Sequence, residues 1–173
     1  MSLEKVFKLV RDVPNFPVAG VTFKDITPLM AEPGALNWVC EQLVKPFLDK
    51  GITKVLAIES RGFFFFFLIA EKLNAGLVPI RKAGKLPWET IQQSYTLEYG
   101  ESTIEMHRDA VGAEDRVLIV DDVLATGGTL KAAQTLASEL GATVVGATVF
   151  LELGFLSARK TLELKNIHAL WTL

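Results

Sequence analysis

Two adjacent carboxylates, Asp121 and Asp122, follow an apolar run, Val117-Leu118-Ile119-Val120, and precede Val123-Leu124-Ala125-Thr126-Gly127-Gly128-Thr129. The run reads as a buried strand, the small residues as a loop, and the segment after them as the start of a helix. Gly127 and Gly128 carry no side chain, so the backbone from Ala125 to Thr129 can approach an anion closely. Its amides and the helix N-terminus supply donors and positive potential, and the hydroxyls of Thr126 and Thr129 add two more donors. Neither G-x-x-x-x-G-K-[ST] nor G-x-G-x-x-G is present. Carboxylates that accept from sugar hydroxyls, beside a loop that holds a phosphate, suit a ribose phosphate. The blander reading is an ordinary strand-turn-helix whose acids cap the helix.

Other segments carry charge or stacking surface. Glu59-Ser60-Arg61-Gly62 follows the apolar Val55-Leu56-Ala57-Ile58, and a guanidinium there offers a planar fork to a diphosphate. Arg81, Lys82 and Lys85 form a dense basic stretch that could serve the same anion or be a solvated charge run. Phe23 lies in the proline-bounded segment 15–28, where an aromatic face could stack on a base or simply fill a core. Glu98, Glu101 and Glu105 are carboxylates on a polar stretch, any of which could move a proton. His107 and His168 show no evident catalytic partner.

These groups need elements to hold them. Leu36, Val39, Cys40, Leu43 and Phe47 share one helical face, and Gly51 marks the end of that helix. Lys54 to Ile58 reads as a short buried strand and Arg61 to Leu73 as a helix. Leu77 to Ile80 reads as a strand that Pro79 places near an edge or an end. Val117 to Val120 is the clearest strand. A helix with Leu130, Ala133, Ala137 and Leu140 on one side follows it, and then a strand over Thr143 to Leu151. The alternation predicts an α/β fold with a mainly parallel central sheet flanked by helices, its ligands beyond the carboxyl ends of the strands. Segments 94–99 and 102–106 flank Gly100-Glu101 and predict an antiparallel hairpin projecting from the sheet.

Composition narrows the class. The chain has 173 residues, half of them hydrophobic, which suits one domain with a sizeable core. A net charge of -2 gives no basic field for a nucleic acid backbone. Cys40, the single cysteine, allows neither an internal disulfide nor a thiolate cluster, which fits a reducing, cytoplasmic setting. Met1 to Lys5 has no signal-peptide pattern, and the longest apolar run, 62–70, is too short to span a bilayer, so no membrane partner is expected.

The 117–129 segment resembles the phosphoribosyl pyrophosphate-binding motif of type I phosphoribosyltransferases. Three further segments are similar to the adenine-specific branch of that family: Asn15 to Pro28, Ala57 to Phe65, and Ile80 to Pro87 with Ser94 to Gly100. The resemblance implies a type I fold with a small hood at 1–33, a core at 34–173 and a flexible catalytic hairpin loop at about 82–106. It implies AMP and pyrophosphate made from adenine and phosphoribosyl pyrophosphate in purine salvage, and a homodimer. Magnesium would be held mainly by phosphoribosyl pyrophosphate and water, with no direct protein ligand assigned.

By the same resemblance Phe23 stacks on adenine while the backbone of Val21, Thr22, Phe23 and Lys24 reads its edge. Ser60, Arg61, Arg81, Lys82 and Lys85 hold pyrophosphate, and Ala125, Thr126, Gly127, Gly128 and Thr129 hold the 5-phosphate. Asp121 and Asp122 orient the ribose, Glu98 is the general acid-base and Tyr99 the lid. A non-proline cis peptide bond is expected near Arg61. The chain departs from the pattern at Phe66 and Phe67, where small residues or proline are common, and at Trp88, where glycine is. The two rings would fill a gap in the core or dimer face, or narrow the base pocket. A relative acting on hypoxanthine, guanine or xanthine would carry a base-reading loop after Leu151, and none is evident. A transcriptional sensor of phosphoribosyl pyrophosphate would carry a DNA-binding module, for which the stretch before Asn15 is too short.

Overall fold

A computed structural model describes residues 1–96 and 101–173. The chain divides into two compact units, Met1–Gln42 and Leu43–Leu173.

In the first unit α1 (Leu3–Lys8) leads into a small antiparallel pair, β1 (Arg11–Pro14) and β2 (Thr22–Asp25), followed by α2 (Thr27–Ala31) and the start of α3 (Ala35–Val44). The pair is in register from Arg11 opposite Asp25 to Pro14 opposite Thr22. Asp25 accepts from both the amide and the hydroxyl of Thr27, which fixes the entry into α2. Val6 and Leu29 are fully buried.

The second unit contains β3 (Lys54–Ile58), α4 (Phe63–Leu73), β4 (Gly76–Lys82), β5 (Thr90–Thr96), β6 (Glu101–His107), β7 (Arg116–Leu124), α5 (Gly128–Glu139), β8 (Thr143–Glu152) and β9 (Ile167–Thr172). Its strands form a seven-stranded sheet in the order β5-β6-β4-β3-β7-β8-β9. β4, β3, β7, β8 and β9 run parallel, and the β5–β6 hairpin is antiparallel. This is the mainly parallel, helix-flanked architecture that the alternation of elements predicts.

The period of two along the strands divides the core between the faces. Leu56, Ile58, Val117, Ile119, Ala147 and Val149 cluster with Leu130, Ala133, Leu136 and Ala137 of α5. Val55, Leu118 and Phe150 alternate with them, and Phe65 of α4 stacks on Phe150 at 5.9 Å between ring centroids. The two helices therefore take opposite faces, which is why the central strands are apolar throughout.

Two expectations change and one is met locally. The hairpin does not stand off the sheet: β6 pairs with β4 at Arg81–Glu105 and Lys82–Ile104, making the hairpin the sheet's edge. Pro79, opposite Ala57, meets its expectation, because β4 is locally an edge there. Gly76 donates to Thr53 and Ile80 accepts from Glu59, so the even-numbered residues face β3 and Pro79 faces away. The pairing with β6 starts only at Arg81, so no ladder bond is missed there. Finally, β7 does not end before the carboxylates: it continues to Leu124 because β8 still pairs with Asp121, Val123 and Leu124.

Phe66 is buried, with Phe63 and Phe67 against it at 5.1 and 4.6 Å, whereas Phe67 is 64% exposed. Of the two departures only Phe66 fills core. Trp88 is 68% exposed.

Candidate active site

The last β3–β7 pair is Ala57 with Val120, whereas β8 accompanies β7 to Leu124. Asp121 and Asp122 thus project where the sheet has opened on one side and is still supported on the other. Asp121 Oδ1 accepts the Asp122 amide at 2.9 Å. Loss of hydration raises the pKa of Asp121 well above its ordinary value, and the neighbouring charge of Asp122 adds to the rise. Asp122 is also raised by burial, although Arg61 opposes the shift.

The loop 125–129 leads into α5. The N-cap is Gly127 at φ +90°, so no capping side chain covers the first amides of the helix. The acids remain on the strand, which removes the helix-capping reading. A cavity of about 80 Å³ opens here, lined by Asp121, Val123, Leu124, Ala125, Thr126, Gly127, Thr129, Leu130 and Val149. Amides and threonine hydroxyls at the end of a helix suit an oxyanion.

Beyond β3, the peptide bond Glu59–Ser60 is cis and Ser60 is exposed. Arg61 turns toward β7, its Nε 2.7 Å from Asp122 Oδ2. One ion pair therefore brings the loop after β3 against the acids of β7.

Glu59 organises the basic stretch, a role the sequence reading did not assign. Its carboxylate accepts from Lys85 Nζ at 2.6 Å, Arg81 Nε at 3.1 Å and the Lys82 amide at 3.1 Å. Burial would raise its pKa, but the bonds from Lys85, Lys82 and Arg81 outweigh that and lower it from 4.5 to about 2. The signal was present: in a parallel register with Ile58 opposite Ile80, the next residues are Glu59 and Arg81.

Glu105 is a buried anchor. It accepts from the Lys85 and Leu86 amides, both at 2.8 Å, and from Gln92 Nε2 at 3.1 Å. Burial opposes its ionisation, and these donors outweigh the burial to lower its pKa. With both oxygens engaged, it shapes the 84–92 turn and is no rival as a proton carrier.

Glu98 and Tyr99 lie outside the described residues. The strand leading to them is next to the phosphate loop: a β-carbon built on Gly128 would lie 3.1 Å from the Thr96 carbonyl oxygen and 3.2 Å from Tyr95 Cδ2. In the first unit, Phe23 is half-buried and meets Phe16 edge-on at 5.1 Å. Val21 donates to the Val18 carbonyl and accepts from the Phe16 amide, and Thr22 is exposed. Lys24 Nζ donates to Asp12 at 2.7 Å.

Among the described residues no group of three or more His, Cys, Asp or Glu could hold a metal ion. Asp121 and Asp122 nevertheless offer hard oxygens, and their mutual repulsion is what a divalent cation relieves. The pair fits magnesium that arrives with a phosphorylated substrate. No helix among the described residues is long and apolar enough to cross a membrane.

The phosphoribosyl transferase domain family matches residues 34–169. An adenine phosphoribosyltransferase of Thermobifida fusca is 54% identical over 165 residues, covering 95% of this chain and 94% of that protein. The crystal structure of adenine phosphoribosyltransferase from Rhodothermus marinus superposes with a TM-score of 0.93 at 48% identity, covering 99% and 98%. The enzyme of that name from Saccharomyces cerevisiae, solved with D-2,5-dideoxy-2,5-imino-altritol 1,6-bisphosphate and adenine, gives 0.91 at 35% identity, covering 97% of each chain.

Proposed function

The chain belongs to the phosphoribosyl transferase domain family, in its adenine phosphoribosyltransferase branch, and from that premise we propose that it makes AMP and pyrophosphate from adenine and phosphoribosyl pyrophosphate in purine salvage. The observation that carries the site reading is the 2.7 Å approach of Arg61 to Asp122, which joins a diphosphate donor set to a ribose acceptor set. The adenine bound to the yeast relative supports the choice of base.

The reaction forms a bond from a ring nitrogen of adenine to the anomeric carbon of ribose and breaks the bond to pyrophosphate. Positive charge develops on the sugar, as in glycosyl transfer generally. Asp121 and Asp122 accept from the ribose hydroxyls, and their charge lies beside that developing cation. The loop from Ala125 to Thr129 holds the 5-phosphate. Arg61, Arg81, Lys82 and Lys85, with the Ser60 backbone, receive the departing diphosphate. Lys85 and Arg81 reach it by leaving Glu59, so the carboxylate holds both cations in place until substrate competes for them.

Phe23 stacks on adenine and the backbone of Val21 to Lys24 reads its edge. Glu98 takes the proton from the imidazole part of the base, a contribution of about 10²–10⁴-fold. The contact of Tyr95 and Thr96 with Gly128 supports this role, because it brings the strand before Glu98 to the phosphate loop. Tyr99 closes over the site. Magnesium, when bound, neutralises diphosphate charge and polarises its oxygens. The enzyme acts in the cytoplasm as a homodimer.

The test is product formation from phosphoribosyl pyrophosphate with adenine, hypoxanthine, guanine or xanthine, with magnesium or with EDTA. AMP alone, formed only with magnesium, is the expected result, and Glu98→Gln should lower turnover about 10²–10⁴-fold while phosphoribosyl pyrophosphate still binds. Product from a different base would overturn the adenine site. Binding without turnover of any base would make the protein a sensor.

A further inference from the structure

Behind the phosphate loop stands a segment that the reaction does not use. Arg159 donates from Nε and Nη2 to the two carboxylate oxygens of Glu152, each at 2.8 Å, and from Nη1 to the Ile167 carbonyl at 2.8 Å. Three donors of one guanidinium are thus committed, in the bidentate geometry that fixes orientation as well as distance. Glu152 is buried at the end of β8, opposite Leu124, the residue directly before the loop. The Leu153 amide donates to the Leu124 carbonyl at 2.9 Å, so the strand that carries Glu152 is tied to the root of the loop.

The neighbours of Arg159 reach the loop from the other side. A β-carbon built on Gly127 would lie 3.3 Å from Ala158 Cβ and 3.3 Å from Leu162 Cδ1. Gly127 has φ +90° and is buried, so its backbone rests directly on that wall. The segment 158–162 is a 3-10 turn followed by irregular chain, and the Thr161 hydroxyl donates back to Ala158. Ala158 joins the core cluster and Leu162 packs against it, and Arg159 adds the segment's charged tie to the sheet.

We propose that Arg159 and Glu152 are positioning residues for the 5-phosphate: their ion pair presses the 158–162 wall against Gly127 and so sets the direction of the loop amides. The proposal rests on the reading of 125–129 as the phosphate loop. Neither residue touches substrate. Small displacements of a pre-set donor array are costly, which makes a remote clamp effective.

The experiment measures binding of ribose 5-phosphate, AMP and adenine to the intact protein by calorimetry, with steady-state kinetics in parallel. Arg159→Ala should weaken ribose 5-phosphate and AMP about tenfold and raise the KM for phosphoribosyl pyrophosphate by a similar factor. Adenine binding should stay unchanged. Arg159→Lys, a point charge that cannot bridge both oxygens and the carbonyl, should recover only part of the loss. Leu162→Ala removes the larger of the two wall side chains and leaves the ion pair, and should give the same ligand-selective pattern, which keeps the test open if Arg159→Ala fails to fold.

Equal loss for all ligands, or loss of stability with unchanged affinities, would overturn the proposal and leave the pair a structural tie. Wild-type protein that bound none of the 5-phosphates would instead refute the phosphate-loop reading itself.

Discussion

Gly62→Ala separates two physical effects of opposite sign. Gly62 has φ -55° and ψ -29°, a conformation open to any residue, at the start of α4. Gly62 is the N-cap, where no interior helix propensity applies, but a stiffer unfolded chain favours alanine by about 0.4–1 kcal/mol. Sterics oppose the change. The new β-carbon would lie 2.6 Å from the Ile58 carbonyl oxygen, 3.0 Å from that of Val120 and 3.3 Å from Asp121 Cα. The first distance is roughly 0.7–1 Å short of a normal carbon–oxygen contact. All three neighbours are backbone atoms of the central strands, so none can rotate away. Overpacking of this kind costs up to about 3 kcal/mol, leaving a net loss of about 2 kcal/mol after the gain from the unfolded chain. For a chain of this size that lowers Tm by about 4–8 °C. Because Asp121 is among the atoms displaced, kcat/KM should fall roughly 100-fold. Thermal unfolding followed by far-UV circular dichroism, with turnover on the same samples, gives both numbers. A Tm at or above wild type with activity intact would refute the claim that close approach, rather than flexibility, selects glycine here.

The carboxylate network gives two more tests. Asp121→Asn keeps the acceptor for the Asp122 amide but removes a charge whose ionisation the fold disfavours. That penalty is absent below the ordinary pKa of 3.8 and grows as pH rises above it, so at pH 7 the variant should melt at or above the wild-type temperature while turnover falls roughly 100-fold. Glu59→Gln should cost about 2 kcal/mol at pH 7. Since folding lowers the Glu59 pKa from 4.5 to about 2, the wild-type advantage should be full above pH 4.5 and fade as pH falls toward 2, which urea titrations at stepped pH would show.

What the sequence disclosed follows from how each element is buried. β3, β7 and β8 are covered on both faces, and their apolar runs stand out for that reason. β9 escaped because it is an edge strand: Ile167-His168-Ala169-Leu170-Trp171-Thr172 is mostly half-buried, so neither a solid apolar block nor a clean alternation marks it. β7 looked shorter than it is because Asp121 and Asp122 are poor strand formers that pairing with β8 overrides. The turn at 125–129 was legible because its small residues stand in sequence order between an apolar strand and an amphipathic helix. Glu59 and Glu105 were not assigned their roles because these lie in donors brought from β4 and the 84–92 segment, and no local pattern shows which cations a carboxylate will meet. Arg159 was hidden for the same reason, since its partner Glu152 matters through its pairing with Leu124.

The resting site neutralises itself. Lys85 and Arg81 are held by Glu59, and Arg61 by Asp122. These pairs keep cations aimed at the carboxyl ends of β3 and β4 without leaving bare charge in a partly dry place, which would be far more costly. A diphosphate carries more negative charge than one carboxylate and offers more acceptor oxygens, so it can displace Glu59 from the cations. On the proposed reading Asp122, once parted from Arg61, has its carboxylate oxygens open to the ribose hydroxyls. On this reading the acids and bases exchange partners as substrate enters, and the exchange that admits the diphosphate would leave Asp121 and Asp122 to support positive charge at the sugar. Salt should weaken substrate binding less than it would at an open basic patch, because each new ion pair replaces an old one.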